Sequence, residues 1–210
     1  MRWKSAPQIV IGILSISILV VVSTTARQSP LNPSSTPPPV DHDGFVRHTE
    51  VITVQVPMQF FRHWRQTSAG HLENTLRGTS KIAGVAYTEM IRGTWPQPGA
   101  RRRVVRKDGN ESLEEVLENS WPTRFRYEVW GFTDQERILT NYLVGEFQYR
   151  EVPEGTEVRW TYSFHRRYLL IEPILSIEVR NRVPEFMQTA LRNLKEEAED
   201  AYKEDGTKRS

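Results

Sequence analysis

The 210-residue sequence contains no cysteine. Disulfide bonds, thiolate nucleophiles, cysteine-ligated metals and lipid attachment through cysteine are therefore all excluded. A protein exported without disulfides must rest on its hydrophobic core, and the roughly 160 residues of the main body are enough to build one. The length leaves room for one domain and a tail.

The body of the chain also lacks an excess of either charge. The sequence holds 28 basic and 26 acidic residues, and its first 26 positions contain Arg2 and Lys4 but no acidic side chain. From Arg27 onward, 26 basic residues stand against 26 acidic ones. A general nucleic-acid binder needs a clear basic excess, so nucleic acid is not predicted as a partner.

Motifs that mark common catalytic sites are missing as well. The sequence has no glycine-rich phosphate loop and no nucleophile elbow. Its five histidines show no metal-ligand spacing. We therefore predict no catalytic residue, no metal site and no cofactor. His165, at the end of the last predicted strand, is interpreted either as a solvated strand end or as an acid/base at a cavity mouth.

An uninterrupted apolar stretch follows the two N-terminal basic residues. Read as 9–22, it has the 14 residues of a signal-peptide core. Read as 7–26, its 20 residues form about 30 Å of helix, enough to cross a bilayer. Residues 1–26 are thus predicted to be a transmembrane anchor or a signal segment. The anchor places the N-terminus in the cytoplasm and the domain on the outer side, whereas cleavage at Ala26 gives a secreted protein.

A proline-rich linker is predicted for residues 27–44. It contains five prolines among Ser, Thr, Asn and Asp. Such a segment buries little apolar surface and favours extended polyproline conformations. We therefore expect it to act as a spacer that holds the following domain, residues 45–205, away from the membrane.

Hydrophobic periodicity predicts the order strand, two short helices, six strands and one long helix. Residues 51–56 are rich in β-branched side chains and are interpreted as a strand, and residues 58–65 are interpreted as a short helix with its aromatic residues on one side. Residues 66–80 are interpreted as a loop or a second short helix. A long helix over 172–202 has apolar residues at helical spacing, with Pro184 expected to kink or split it. The six later strands are predicted at 84–91, 101–107, 111–118, 124–131, 138–152 and 156–164.

Four turn and packing elements carry a family resemblance: Pro98-Gly99-Ala100-Arg101-Arg102, Asp108-Gly109, Pro122-Thr123-Arg124-Phe125-Arg126-Tyr127, and Gly155-Thr156-Glu157-Val158-Arg159-Trp160. With the terminal helix, they resemble the polyketide cyclase/dehydrase-like branch of the START-related (SRPBCC, helix-grip) superfamily, over roughly residues 49–200. The resemblance implies an α+β helix-grip fold, with a curved antiparallel sheet of about seven strands wrapped on the C-terminal helix. It also implies a cavity for lipids or other apolar molecules. No catalytic residue is carried over.

The hairpin around Asp108-Gly109 allows a register to be predicted. A two-residue type I′ loop would pair Arg106 with Glu111, Val104 with Leu113, and Arg102 with Glu115. The arginine-rich strand would then face glutamates across the ladder. We therefore favour a charge-complementary hairpin over an anion-binding patch.

Strand alternation then predicts which side chains line the cavity. Arg102, Glu115 and Tyr127 are expected to form a polar cluster within an apolar pocket; the alternative is that Arg102 and Glu115 form a structural pair near the sheet edge. The predicted ligand-binding residues are Arg102, Val104, Leu113, Glu115, Leu117, Phe125, Tyr127, Val129, Val158, Trp160, Tyr162 and Phe186.

Two functions from different classes follow from these features. The first is a membrane-tethered binding module for a lipid or other apolar small molecule, with residues 7–26 in the membrane. The second is a cyclase/dehydrase-type enzyme that uses Glu115 as a pocket acid/base, with Arg102 or Tyr127 polarising a carbonyl. The first is favoured because the sequence displays no placed, perturbed acid or base. A domain whose cavity is filled by its own aromatics, and which only binds proteins, is a third hypothesis.

Overall fold

The computed structural model describes residues 31–67 and 71–209. The predicted anchor or signal segment, residues 1–26, lies outside the described residues. Within the described ranges, no helix has both the length and the apolar character needed to span a bilayer.

Seven antiparallel strands form one sheet in the order β1-β7-β6-β5-β4-β3-β2. This agrees with the predicted α+β class and with the expected number of strands. Each strand pairs with its neighbour in sequence except β1, which pairs with β7 along its whole length. The strands are β1 Phe45–Val54, β2 Val85–Arg92, β3 Arg101–Arg106, β4 Glu111–Ser120, β5 Arg124–Trp130, β6 Thr140–Val152 and β7 Gly155–Arg166.

Two short helices follow β1, as the sequence predicts, and a long helix ends the chain. They are α1 Met58–Thr67, α2 His71–Thr75 and α4 Glu172–Arg209, with a one-turn helix α3 Glu136–Leu139 before β6 and a 3₁₀ turn Leu169–Ile171 before α4. In α1, Phe61 and Trp64 are buried one turn apart. The predicted start of the strand at 138–152 is wrong, because Ile138 and Leu139 are the last residues of α3 and the strand begins at Thr140.

Helix α4 is one continuous helix through Pro184, so the predicted split does not occur. Proline supplies no backbone N–H, which removes one hydrogen bond of the helix. The apolar residues on either side compensate, since Val183 and Met187 are buried in the core. Tertiary packing of this kind commonly outweighs local propensity.

The main core lies between the inner face of the sheet and α4. Buried residues recur along α4 at helical spacing and pack on Val104, Val129, Val158 and Trp160 of the sheet. The α4 residues in this core are Leu175, Val179, Val183, Phe186, Met187, Ala190, Leu191, Leu194 and Ala198.

The outer face of the sheet carries a second apolar cluster of Leu113, Trp130, Tyr142 and Val144. Residues 31–44 of the predicted linker lie along this cluster, and Leu31 and Val40 pack against it. This differs from the free spacer expected from the sequence. The prediction was based on the proline-rich composition of the segment and did not consider its two apolar residues, Leu31 and Val40, which pack on the apolar outer face.

Polar contacts fix the same segment on the sheet. The backbone carbonyl of Ser35 accepts a hydrogen bond from Arg101 at 3.0 Å, and its hydroxyl accepts one from Trp130 Nε1 at 3.0 Å. The backbone N–H of Asp41 donates to the hydroxyl of Tyr142 at 2.8 Å. Residues 31–44 are therefore anchored at two points along their length.

The hairpin between β3 and β4 has a three-residue loop, so the predicted register is wrong by one residue. The N–H of Gly109 donates to the carbonyl of Arg106 at 3.0 Å, and that of Arg106 donates to the carbonyl of Asn110 at 2.8 Å. A type I′ turn needs two residues with positive φ, but of this pair only Gly109 has one, at 80°. Arg102 consequently pairs with Glu114 rather than Glu115.

Candidate functional site

Two cavities lie between the inner face of the sheet and α4. The larger, called the aromatic cavity, has a volume of about 400 Å³ and lies beside α1 and α2. The smaller, called the aliphatic cavity, has a volume of about 130 Å³ and lies beneath the first turns of α4. Leu76 contributes to the walls of both.

The aromatic cavity is walled by rings from three strands, β5, β6 and β7, and from two connecting segments. Trp121 and Tyr149 have ring centroids 4.2 Å apart. Phe147 stacks on Trp160 with centroids 5.1 Å apart and an interplanar angle of 12°. Ala190 and Leu194 of α4 close the opposite side. Such a wall suits an apolar molecule, and flat rings can stack on it.

Gly145 on β6 makes room for the Tyr127 ring in this wall. A Cβ at position 145 would lie 2.2 Å from Cζ of Tyr127 and 2.5 Å from its hydroxyl. Any larger residue at this position would push the ring toward the cavity. The phenol therefore lies flat on the strand because the strand has no side chain there.

One ion pair contributes polar groups to the cavity walls. Arg102 Nε lies 2.7 Å from Glu114 Oε2 and Nη2 lies 2.6 Å from it. The two side chains keep only 11% and 8% of their surface exposed. The guanidinium also lies 3.6 Å from the ring centre of Trp95. The pair is thus charge-neutral as a unit, and it presents little net charge to a ligand.

A pair of phenols lies at the boundary between the two cavities. Tyr127 lines the aromatic cavity and Tyr162 lines the aliphatic one. The Tyr127 hydroxyl donates to the Tyr162 hydroxyl at 3.2 Å. Burial raises the pKa of both phenols well above the ordinary value. Both groups therefore remain neutral and can exchange hydrogen bonds with a ligand hydroxyl or carbonyl.

Charged groups close the outer end of the aliphatic cavity. Arg106 pairs with Asp134 and lies 3.6 Å from Glu136, while Arg182 lies 3.4 Å from Glu178. Burial, together with the nearby Asp134, raises the pKa of Glu136 above its usual range. A polar depression of about 350 Å³ begins at these groups and opens toward Lys81 and Arg137. We call this depression the vestibule.

The structure brings most predicted site residues to the two cavities. Val158 is fully buried in the core beside them. Those in the aromatic cavity are Arg102, Phe125, Tyr127 and Trp160. Those in the aliphatic cavity are Val104, Val129, Tyr162 and Phe186.

Three predicted site residues lie on the opposite face of the sheet. Leu113 and Leu117 belong to the outer apolar cluster, and Glu115 binds Arg101 there at 2.7 Å. The shift of one residue in the hairpin register reverses the faces of β4, since side chains alternate along a strand. Their assignment to the cavity was wrong for this reason.

His165 also lies on the outer face rather than at a cavity mouth. Its ring stacks on Tyr142 with centroids 4.7 Å apart, and its Nε2 lies 3.1 Å from Asp41.

Within residues 31–67 and 71–209, no group of three or more His, Asp or Glu side chains is placed to hold a metal ion.

Sequence reasoning missed several residues of the walls. Glu114 was assigned to the wrong face with the rest of β4. Trp95, Trp121 and Tyr149 come from connecting segments or from a strand whose faces were left unassigned, although aromatic residues next to proline in a loop are a signal of packing. Arg106 and Glu136 became neighbours only through the tertiary fold, and no local pattern links them.

A family model described as "Polyketide cyclase / dehydrase and lipid transport" matches residues 64–199. The matched range contains both cavities and most of the sheet. The chain belongs to this family. No curated protein sequence matches it closely enough to count as a relative.

Solved structures share the fold of this polyketide cyclase/dehydrase and lipid transport family member. A ginseng major latex-like protein 151 from Panax ginseng is 12% identical, with a TM-score of 0.56 over 74% of this chain and 99% of that one. Ara h 8.0201 is 18% identical, with a TM-score of 0.52 over 74% and 98%. TTHA0849 from Thermus thermophilus is 17% identical, with a TM-score of 0.52 over 75% and 98%. At these identities the likeness concerns the fold alone.

Proposed function

We propose that this family member is a membrane-tethered binding module that holds a lipid or other apolar small molecule between the sheet and α4. The observation that carries the proposal is the aromatic cavity of about 400 Å³. Pockets that bind small molecules are concave and mostly apolar, with a few polar groups that fix orientation. The family description, which includes lipid transport, supports the same function.

The polar groups of the walls favour an uncharged ligand. Arg102 and Glu114 satisfy each other, so neither is available to neutralise a buried ligand charge. An unpaired charge in such a site costs several kcal/mol. The neutral phenols of Tyr127 and Tyr162 can instead bond a hydroxyl or carbonyl. We therefore infer an apolar ligand with at most a few uncharged polar atoms.

The tether is part of the proposal and rests on the sequence of residues 7–26. Their 20 residues are long enough to cross a bilayer as a helix. We propose a single pass with the N-terminus in the cytoplasm and the domain on the outer side. N-terminal sequencing of the mature protein tests this, because a first residue of Arg27 would mean cleavage after Ala26 and a secreted protein.

A cyclase/dehydrase-type enzyme is the second candidate. One observation favours it: the Tyr127 hydroxyl and Arg102 line the same cavity and could polarise a carbonyl. Glu115 is not available as the acid/base, since it lies on the outer face with Arg101. Of the acids at the cavities, Glu114 is held by Arg102, and Glu136 lies 3.6 Å from Arg106 at the outer end of the aliphatic cavity. We therefore favour binding without chemistry.

Native mass spectrometry of the membrane-extracted protein tests the binding function. We expect a co-purified apolar molecule on the unmodified chain. In Ala190→Trp, a large ring would occupy the aromatic cavity, because Ala190 is buried in its wall. We expect binding to weaken at least about tenfold, equivalent to 1.4 kcal/mol.

Glu196→Trp is the matched control, since Glu196 lies on the exposed side of the same helix. It should retain the ligand. A bare mass for the unmodified chain, or equal binding by both tryptophan variants, would refute the proposed cavity. Turnover of a bound carbonyl compound that is lost in Glu114→Gln would favour the enzyme instead.

A further inference from the structure

An apolar patch protrudes from the end of the domain where β7 passes into α4. We call it the apolar tip. Leu169 and Leu170 keep 70% and 91% of their surface exposed, far more than is usual for leucine. The apolar tip consists of Ile138, Tyr168, Leu169, Leu170, Ile174 and Ile177.

These side chains come from three segments that lie side by side at one end of the domain, namely α3, the 3₁₀ turn and the start of α4. The backbone N–H of Arg167 donates to the carbonyl of Leu139 at 2.9 Å, which places α3 and Ile138 beside the 3₁₀ turn. Ile174 and Ile177 lie one turn apart on the exposed side of α4. An exposed apolar patch of this kind marks a site of interaction with a protein or a membrane.

Three arginines, Arg137, Arg167 and Arg180, lie next to residues of the apolar tip. Arg137 donates to the backbone carbonyls of Thr133 and Asp134, and Arg167 donates to the Tyr168 hydroxyl and the Arg137 carbonyl. In the part of the chain that the structure describes, neither guanidinium forms an ion pair. Arg180 is exposed one turn beyond Ile177.

The acidic groups near the apolar tip are already paired. Glu172 binds Arg166 at 2.9 Å and Glu178 binds Arg182 at 3.4 Å. Glu136, the neighbour of Arg137, lies 3.6 Å from Arg106 on the side of the vestibule. The rim of the apolar tip is therefore net positive, which complements an anionic surface.

We propose that the apolar tip docks onto an anionic lipid bilayer, with its leucines in the interface and Arg137, Arg167 and Arg180 among the headgroups. Exposed apolar side chains flanked by basic residues are the pattern of an interfacial membrane contact. A second copy of the chain would bring two positive rims together, so charge complementarity favours the bilayer.

The position of Leu31, the first residue that the structure describes, supports this orientation. The Leu31 side chain lies against Gly131, which leads into α3 and the apolar tip. The predicted membrane segment ends at residue 26, and the chain from there to Leu31 spans at most about 18 Å when fully extended. A membrane segment would thus hold this end of the domain close to the bilayer surface.

The docked orientation also brings the aliphatic cavity to the bilayer. Leu139 and Leu175 line this cavity, and each is adjacent in sequence to a residue of the apolar tip. An apolar molecule bound in this cavity would then lie next to the bilayer. This consequence rests on the proposed binding function, whereas docking itself does not.

A single engineered cysteine can report docking, because the chain has none of its own. The full chain carrying Leu170→Cys is labelled with a polarity-sensitive nitrobenzoxadiazole dye. It is mixed with vesicles of phosphatidylcholine alone, or of phosphatidylcholine with phosphatidylserine. We expect a blue shift and a gain in intensity on the anionic vesicles and a much smaller change on the neutral ones.

The second label and two charge variants complete the design. Glu154→Cys places the dye in the β6–β7 turn at the opposite end of the sheet, where it should not respond. The double variant Arg137→Gln/Arg167→Gln should lower the ratio of docked to undocked dye about 25-fold, because each basic residue at an anionic surface contributes about fivefold. Arg159→Gln, on the exposed side of β7, should leave that ratio unchanged.

Each contrary result overturns docking. Equal spectra on neutral and anionic vesicles, or an equal response at position 154, would show that the apolar tip does not recognise the anionic surface. A blue shift that grows with protein concentration without vesicles would show that a second copy covers the apolar tip. Failure of the binding function is seen separately, as a bare mass in native mass spectrometry. Cleavage of the N-terminal segment is also seen separately, because the cleaved protein would no longer float with neutral vesicles in a density gradient.

Discussion

The Arg102–Glu114 pair allows the environment of the cavity to be tested through stability. The two contacts from Arg102 to the carboxylate measure 2.7 and 2.6 Å, and the side chains keep 11% and 8% of their surface exposed. An exposed pair contributes about 0–1 kcal/mol. Removing one partner of a buried pair costs about 3–5 kcal/mol, because a desolvated charge is left alone.

We therefore expect Arg102→Met to lower the free energy of unfolding by about 3–5 kcal/mol. Glu114→Met should lower the free energy of unfolding by a smaller amount, because the Arg102 guanidinium still lies 3.6 Å from the ring centre of Trp95. The double variant should lie within about 2 kcal/mol of the unmodified chain, because replacing both charges by apolar side chains of similar size is often neutral. Urea unfolding followed by far-ultraviolet circular dichroism measures all four chains.

The exposed pair Arg150–Glu157 is the control for this cycle. Arg150 keeps 70% of its surface exposed, and its contact is 2.8 Å. The same cycle there should give a coupling energy below about 1 kcal/mol. If the Arg102 and Glu114 losses were additive and each below about 1 kcal/mol, the pair would be screened by solvent. The argument for an uncharged ligand would then fail with it.

Two further predictions concern the two faces of the sheet. Gly145→Ala should lower the free energy of unfolding by about 1–3 kcal/mol, because the new Cβ would lie 2.2 Å from the Tyr127 ring. Gly206→Ala is the control, since nothing lies within 4 Å of the new Cβ, and it should leave thermal stability unchanged or raise it. On the outer face, burial and then Glu115 raise the pKa of Glu128 to about 8. The folded state therefore binds more protons than the unfolded state, and this contribution to stability is fully present below about pH 4.5 and is lost as the pH rises toward 8. Glu128→Gln should flatten this slope in urea unfolding at a series of pH values; an unchanged slope would contradict the assignment.

The elements of the fold could be predicted because their patterns are local. Alternation along β5 and β7 placed Tyr127 and Trp160 on the inner face, where the structure has them. Helical spacing placed Phe186 against the sheet. Each of these inferences needs only the period of the residue pattern within one element.

The face of β4 could not be fixed in this way. It depends on whether the loop at Asp108-Gly109 holds two residues or three, and the same dipeptide suits both. The three-residue loop shifts the register by one, which places Glu114 inside and Glu115 outside. The pairing of Arg106 with Asp134 was beyond local reasoning too, since 28 positions separate the two residues.

The packing of residues 31–44 on the sheet shortens the distance that the domain can reach from the proposed membrane segment. A free linker of 18 residues has a root-mean-square reach of about 23 Å, whereas a free linker of four residues has one of about 11 Å. For a chain that keeps residues 7–26 in a bilayer, the volume open to the domain falls about tenfold. The local concentration of the cavity at the lipid surface rises by the same factor, without any new contact to the lipid.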